Sequence, residues 1–154
     1  NKDMAVAHVE QLSDLFRSIL QVRDKDLIPL HEEMDLLENY FALEERRFGP
    51  AIELHMDIPT DRRDHLIPPL TLQLLVENAI KHNVASVQEP LVMSITVVGD
   101  RIVVRNPYRP RTGVPSTGFG LDSIGKRYKA FTKEAVQVDI MNGEFKVGLP
   151  LIAP

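Results

Sequence analysis

Cysteine is absent from all 154 residues, so disulfides, thiolate metal sites and cysteine nucleophiles are excluded from the chemistry of this chain. No apolar run is long enough to span a bilayer and no signal peptide opens the sequence, which makes an intracellular location the expectation. The net charge is only −4, so bulk electrostatics make no case for a nucleic-acid partner. Internal repeats and low-complexity tracts are missing too. Asn1 stands where an initiating methionine would, which sets the expectation of a fragment of a longer protein. What is present is ordinary for a globular chain. Hydrophobic residues make up 44% and charged residues 26%, and the length suits one domain with a sizeable core.

Leu12, Leu15, Phe16, Ile19 and Leu20 recur at helical spacing, so Met4 to about Val22 reads as an amphipathic helix with Asp14, Arg17, Ser18 and Gln21 on the other side. Pro29 opens a second helix, Leu30 to Phe48. Its first half carries Glu32, Glu33, Asp35 and Glu38 and its end carries Arg46-Arg47, an order that complements the helix dipole, and Gly49-Pro50 stops it. Ile52, Leu54, Met56 and Ile58 alternate with polar residues as a strand with one buried face, leaving His55 on the solvated side. Leu91–Val98 and Arg101–Asn106 are β-rich runs joined at Gly99-Asp100. Val136, Val138 and Ile140 alternate towards Asn142-Gly143, a strong hairpin signal, with Phe145, Val147 and Leu149 on the returning strand. Between the hairpins, Pro107–Thr117 has no periodicity and reads as a loop, expected to be a mobile lid, and Phe119–Phe131 reads as a helix. Hairpins in series with helices between them predict an α+β two-layer sandwich, a mixed and mostly antiparallel sheet covered on one face by helices, preceded by two helices that can pack as an antiparallel arm.

The chain is organised around Leu70 to Val84. Pro68 and Pro69 precede this run, where proline is tolerated at a helix start, and it is apolar on several sides, as a mostly buried helix would be. Its second half breaks the pattern. Asn78, Lys81 and His82 fall at i, i+3 and i+4, on one face. A carboxamide, an ammonium and an imidazole clustered on a buried helix call for a polar partner. A ligand with phosphates and a metal ion would supply one. An ordinary helix end dipping into solvent, with Lys81 and His82 near the negative end of the dipole, also fits.

A second signal is Gly118-Phe119-Gly120-Leu121, between the Pro107–Thr117 loop and the next helix. Glycine lets the backbone approach a ligand closely, and the free amides of a helix's first turn form an anion site. A helix-entry turn would use the same residues. One helix offering metal and phosphate ligands and another offering its N-terminus would together hold a nucleoside triphosphate.

The run Leu66-Ile67-Pro68-Pro69-Leu70-Thr71-Leu72-Gln73-Leu74-Leu75-Val76-Glu77-Asn78-Ala79-Ile80-Lys81-His82 resembles the N-box of LytS/YehU-type sensor histidine kinases, members of the gyrase, histidine kinase and MutL (GHKL) ATPase superfamily. Leu12-Ser13-Asp14-Leu15-Phe16-Arg17 and Glu45-Arg46-Arg47-Phe48 also resemble that family's pattern. So do Gly118-Phe119-Gly120-Leu121, like its G-box, and Lys126-Arg127-Tyr128, like the basic segment after it. The resemblance covers nearly the whole chain. It implies a Bergerat-type ATP-binding fold over residues 50–154, with residues 1–49 as the helical end of the dimerisation and phosphoacceptor region and its linker helix. It implies ATP and Mg²⁺ as cofactors, with Asn78 as the Mg²⁺ ligand and Lys81 and His82 along the nucleotide. Gly118, Phe119, Gly120 and Leu121 would bracket the phosphates, with Lys126 and Arg127 near them. The implied protein is a cytoplasmic domain of an inner-membrane sensor, homodimeric at full length, with a cognate response regulator as partner. The chemistry agrees, since Mg²⁺ takes few protein oxygens plus phosphates and phosphoryl transfer is catalysed largely by positioning and charge neutralisation.

Two departures bear on function. The superfamily's Asp-x-Gly-x-Gly element corresponds here to Val103-Val104-Arg105-Asn106-Pro107-Tyr108, with Asn106 in the aspartate's place and no adjacent glycines. An asparagine oxygen accepts one hydrogen bond from an adenine amino group without the charge that strengthens it, so a weaker hold on the base is expected. The family's Pro-His-Phe phosphoacceptor motif is missing, and His8, in Ala7-His8-Val9, does not match it. A kinase fragment that binds ATP without labelling itself is therefore the expectation. A degenerate GHKL module that docks a partner, or another GHKL-type protein kinase such as an anti-sigma-factor kinase, are the alternatives.

Overall fold

The structure is a computed structural model that describes residues 1–114 and 119–154. Two long helices come first, α1 (Lys2–Val22) and α2 (Leu30–Phe48), separated by a two-residue strand β1 (Ile28–Pro29). They pack against each other, but α1 buries only Leu15 and Val22. Leu12, Phe16 and Leu20 stay exposed, because the apolar stripe read from the sequence is wider than the surface α2 offers. β1 pairs antiparallel with β3 (Leu66–Ile67). Beside that ladder the first amides of α2 find the carbonyls of His65 at 2.8 Å and Arg63 at 2.9 Å.

The strands β2 (Ile52–Asp57), β4 (Leu91–Val98), β5 (Arg101–Pro107), β6 (Gln137–Met141) and β7 (Glu144–Pro150) form one sheet in the order β2-β4-β5-β7-β6. Only β2 and β4 run parallel; the other neighbours are antiparallel. This is the mixed, mostly antiparallel sheet that the alternation predicts. Its inner face carries Ile52, Met93, Ile95, Ile102, Val104, Val147 and Leu149, all buried. The outer face keeps Glu53 and His55 in water, 3.1 Å apart, and carries half-buried Arg105, which donates to Thr96 Oγ1 at 2.9 Å. The hairpin β6–β7 turns at Asn142 and Gly143, at φ of 53° and 73°, the double left-handed pair that a two-residue I′ turn requires. β6 differs from expectation in one respect. It is an edge strand with every residue exposed, so the alternation of Val138 and Ile140 marks no buried face.

Two helices lie on the inner face, α3 (Thr71–His82) and α4 (Phe119–Lys129). α3 buries Leu72, Leu75, Val76, Ala79 and Ile80, and α4 buries Ile124 and Tyr128. α2 contributes Leu30, Met34, Leu37 and Phe41 to the same continuous core. Leu70, expected to start α3, precedes it instead in a left-handed conformation with φ of 66°. Its side chain cannot cap the helix, and the cap comes from α2. Glu33, 1% exposed, accepts from the Leu70 amide at 2.8 Å and the Leu72 amide at 3.0 Å.

That carboxylate has a measurable signature. Burial raises its pKa from 4.5 to about 7, against the opposing pull of the Leu70 and Leu72 amides and the Arg127 charge. Between those values the unfolded chain has lost the proton while the folded chain keeps it, so this group's contribution to stability falls as pH rises from about 4.5 to about 7 and is level outside that window. Chemical denaturation across this range, compared with Glu33→Gln, is expected to show a fall of up to about 3 kcal/mol that the variant lacks. Parallel profiles for the two proteins would refute a buried, titrating Glu33.

Candidate functional site

α3, the start of α4, the ends of β5 and β7, and the edge strand β6 enclose a cavity of about 270 Å³. Its floor is apolar, with Val104, Phe145 and Val147 from the sheet, and Tyr108 stacks on Phe145 at 6.4 Å between ring centroids. Ile140, stranded on the exposed edge, lines the same space. The polar groups are few and come from separate elements: Asn78 and His82 from α3, Asn83 just after it, Asn106 from β5 and Arg111 from the segment after that strand. An apolar slot with a few convergent polar groups is the ordinary form of a small-molecule site.

Asn106 is 4% exposed, and its Nδ2 donates to the Pro107 carbonyl at 2.8 Å. With the amide nitrogen turned that way, the carboxamide oxygen is left as the acceptor at this wall. Asn78 stands against α4. A Cβ placed on Gly120 would fall 2.7 Å from Asn78 Nδ2, so the bare backbone of the first turn of α4 lies close against that side chain. The start of α4 at Gly120 and Leu121, the carboxamides and a guanidinium thus line one space, and a helix start is suited to an anionic ligand.

Of the residues singled out in the sequence, the structure gathers Asn78, His82, Asn106, Gly120 and Leu121 around the cavity. Lys81 and Lys126 are exposed and do not line it. Arg127 lies away from the cavity at the other end of α4, donating to the Pro69 carbonyl at 2.6 Å, where burial lowers its pKa and Glu33 opposes the change. Phe119 begins α4, and Gly118 lies outside the described residues.

The loop Pro107–Thr117 is not free along its first part. Val84 donates to the Arg109 carbonyl and Arg111 to the His82 carbonyl, both at 2.8 Å. Arg111 Nε donates to the Asn83 carbonyl at 2.7 Å, and Arg109 donates to the Pro90 carbonyl at 2.8 Å. These bonds staple the segment to the end of α3 and correct the expectation of a lid mobile from Pro107 onward; Pro115–Thr117 lie outside the described residues. The physical reason is Asn83, a residue the sequence reading passed over. It is 5% exposed, its Nδ2 donates to the Ala79 carbonyl at 3.0 Å, and its Oδ1 accepts from the Arg109 amide at 2.8 Å. Its only signal in the sequence is a small polar residue directly after the helix. Arg111, also missed, carries the one fixed positive charge among the described residues that line the cavity.

Removing the Asn83 carboxamide leaves the Arg109 amide without its acceptor. Asn83→Ala is expected to cost about 1–3 kcal/mol in denaturation and to speed hydrogen exchange at Arg109. A loss under about 0.5 kcal/mol, within the range of ordinary surface changes, would show that the staple does not depend on it.

Comparison with known proteins agrees with this architecture. The histidine kinase family model matches residues 1–52. The sensor protein LytS of Bacillus subtilis (strain 168) is 38% identical over 90 residues, 58% of this chain and 15% of that protein. LytS of Bacillus cereus is 44% identical over 72 residues, 47% of this chain and 12% of the relative. The sensor histidine kinase YpdA of Escherichia coli (strain K12) is 29% identical over 152 residues, 97% of this chain and 25% of its own length. The chain thus spans between about an eighth and a quarter of these relatives. Among solved structures, the cytoplasmic segment of histidine kinase QseC superposes with a TM-score of 0.59 at 17% identity, covering 100% of this chain and 96% of that one. The catalytic domain of histidine kinase ThkA gives 0.54 at 16% identity, covering 83% and 97%. The fold is that of histidine kinase catalytic domains, and the sequence matches support a LytS-type histidine kinase.

Proposed function

We propose that this chain is the ATP-binding catalytic domain of a two-component sensor histidine kinase, which transfers the γ-phosphate of ATP to a histidine outside these 154 residues. The observation that carries the reading is the contact of Asn78 with bare Gly120 at the cavity wall. It supports a reading in which the Asn78 carboxamide and the start of α4 would meet the same ligand. Asn106 would accept from the amino group of the base, Val104, Phe145 and Ile140 would pack on its ring, and His82 and Arg111 would lie towards the phosphates.

The residues fit a magnesium nucleotide. No cluster of three His, Asp or Glu side chains occurs among the described residues, so Asn78 would share the ion with phosphate oxygens and water, the arrangement Mg²⁺ favours. When bound, the ion neutralises charge on the phosphates. The chain's own part is to bind, orient and shield. The apolar floor excludes water from the base, and Arg111 offsets charge that the ion leaves. No role is proposed for Lys81, Lys126 or Arg127 at the nucleotide.

At full length the reading gives a homodimer, a cognate response regulator, and a cytoplasmic position behind a membrane-anchored sensor; no described helix here is long and apolar enough to cross a membrane. Residues 1–49 would be the end of the dimerisation region and its linker, and residues 50–154 the nucleotide domain. The acceptor histidine would come from a Pro-His-Phe segment, since an imidazole must be held in line with the γ-phosphate and none of the five histidines matches that motif.

Calorimetry with ATP, with and without Mg²⁺, tests the reading. The chain is expected to bind Mg-ATP without labelling itself from γ-labelled nucleotide. Asn78→Ala is expected to lose at least about tenfold in affinity, ~1.4 kcal/mol, and most of the metal dependence. No heat with wild-type protein, or an unchanged metal dependence in the variant, would reject it.

A further inference from the structure

The cavity occupies one end of α3, and the other end holds a polar cluster with no part in the site described above. Glu33 of α2 accepts from the amides of Leu70 and Leu72. Leu70 stands at φ of 66°, a left-handed conformation that a residue with a Cβ adopts only at a cost, and the bond to Glu33 holds it there. From α4, Arg127 donates to the Pro69 carbonyl and sets its charge towards the same carboxylate. The neighbouring Tyr128 hydroxyl is buried with no hydrogen-bond partner among the described residues, and burial and the Glu33 charge both raise its pKa. About two helical turns earlier on α4, Gly120 touches Asn78. α3 and α4 therefore run antiparallel and are clamped twice, at the cavity by bare backbone and at the far end by this polar cluster.

We propose that Glu33 is a positioning residue for the nucleotide site: its grip on the first turn of α3 sets the height and rotation at which that helix presents Asn78 and His82, and so ties the site to α2. The inference rests on the reading of the cavity as a nucleotide site. A helix is a stiff rod, so a displacement at its start is carried to Asn78 along the axis. Ligand constellations tolerate only about 0.5 Å of misplacement. The cap also depends on ionisation. Burial pushes Glu33 up to about 7. Protonation turns one of its two acceptor oxygens into a hydroxyl and gives up part of the grip. The groups facing Glu33 are Arg127 and Tyr128 from α4, while α3 offers only backbone amides.

The test is Mg-ATP affinity from about pH 6 to about pH 8 for wild type, Glu33→Gln and Glu33→Asp, well below their unfolding temperatures. Wild-type affinity is expected to contain a component that rises several-fold with pH. Glu33→Gln should lack it and bind about tenfold more weakly at the high end, and Glu33→Asp, which keeps the charge, should recover part of the loss. Titration of the nucleotide is common to all three proteins. The Asn78 side-chain amide resonances report the coupling without nucleotide, and should move with pH in wild type and stay fixed in Glu33→Gln. Wild-type binding with an identical affinity and pH profile in Glu33→Gln overturns the positioning role and leaves the nucleotide reading intact. Absence of ATP binding by wild type overturns both. If Glu33→Gln fails to fold, Glu33→Asp and the wild-type Asn78 resonances decide, and pH-independent Asn78 signals reject the proposal.

Discussion

A helix buried at both ends has to find partners for the free amides of its first turn and the free carbonyls of its last. α3 is such a helix, pressed between the sheet and the α2 and α4 helices, and the rest of the molecule is arranged to satisfy it. Its start is met by Glu33 from α2, with Thr71 Oγ1 donating to the Pro68 carbonyl at 2.7 Å just ahead. Its end is met by the backbone of Arg111 and the side chain of Asn83. The segment after β5 is drawn across the top of the sheet by these bonds, which makes it a wall of the cavity and not a loose cover.

The cavity follows from that arrangement. The sheet supplies an apolar floor because its inner residues alternate with solvated ones. α4 enters beside Asn78, with the bare backbone of Gly120 against that side chain. Asn106 reaches the cavity because β5 carries it on the inner face, and its orientation follows from the Pro107 carbonyl. Each functional group rests on a rigid element, and the only fixed charge among the described lining residues is on the stapled segment.

The strands were legible in the sequence wherever alternation met a turn with its own chemistry, as at Asn142-Gly143. The place of Asn78 and His82 at the cavity was legible because a carboxamide and an imidazole interrupt an apolar helix face. Lys81 shares their spacing yet points to solvent; a face defined by periodicity is wider than a binding site. Arg127 followed the family pattern into a basic segment, but its guanidinium serves the start of α3. Glu33 was concealed by its neighbours: Glu32, Asp35 and Glu38 form an acidic first half that complements the helix dipole, and nothing local distinguishes the one carboxylate that a tertiary contact buries. Asn83 and Arg111 were hidden for the same reason, since their partners lie 26 and 28 residues away in sequence. The edge strand β6 shows the limit from the other side, because alternation predicts a face without predicting that anything covers it.

The central claim is that a metal-bound nucleotide sits between Asn78 and the start of α4. Replacing Mg²⁺ by Mn²⁺ in the ATP complex and mapping paramagnetic broadening of amide signals locates the ion directly. The account predicts the strongest broadening at Asn78, Gly120 and Leu121, weaker broadening at His82 and Arg111, and sharp signals at Glu53 and His55 on the outer face of the sheet. Broadening centred on Arg127 and Pro69, or spread over the acidic residues of α2 with Asn78 and Gly120 unaffected, would contradict it.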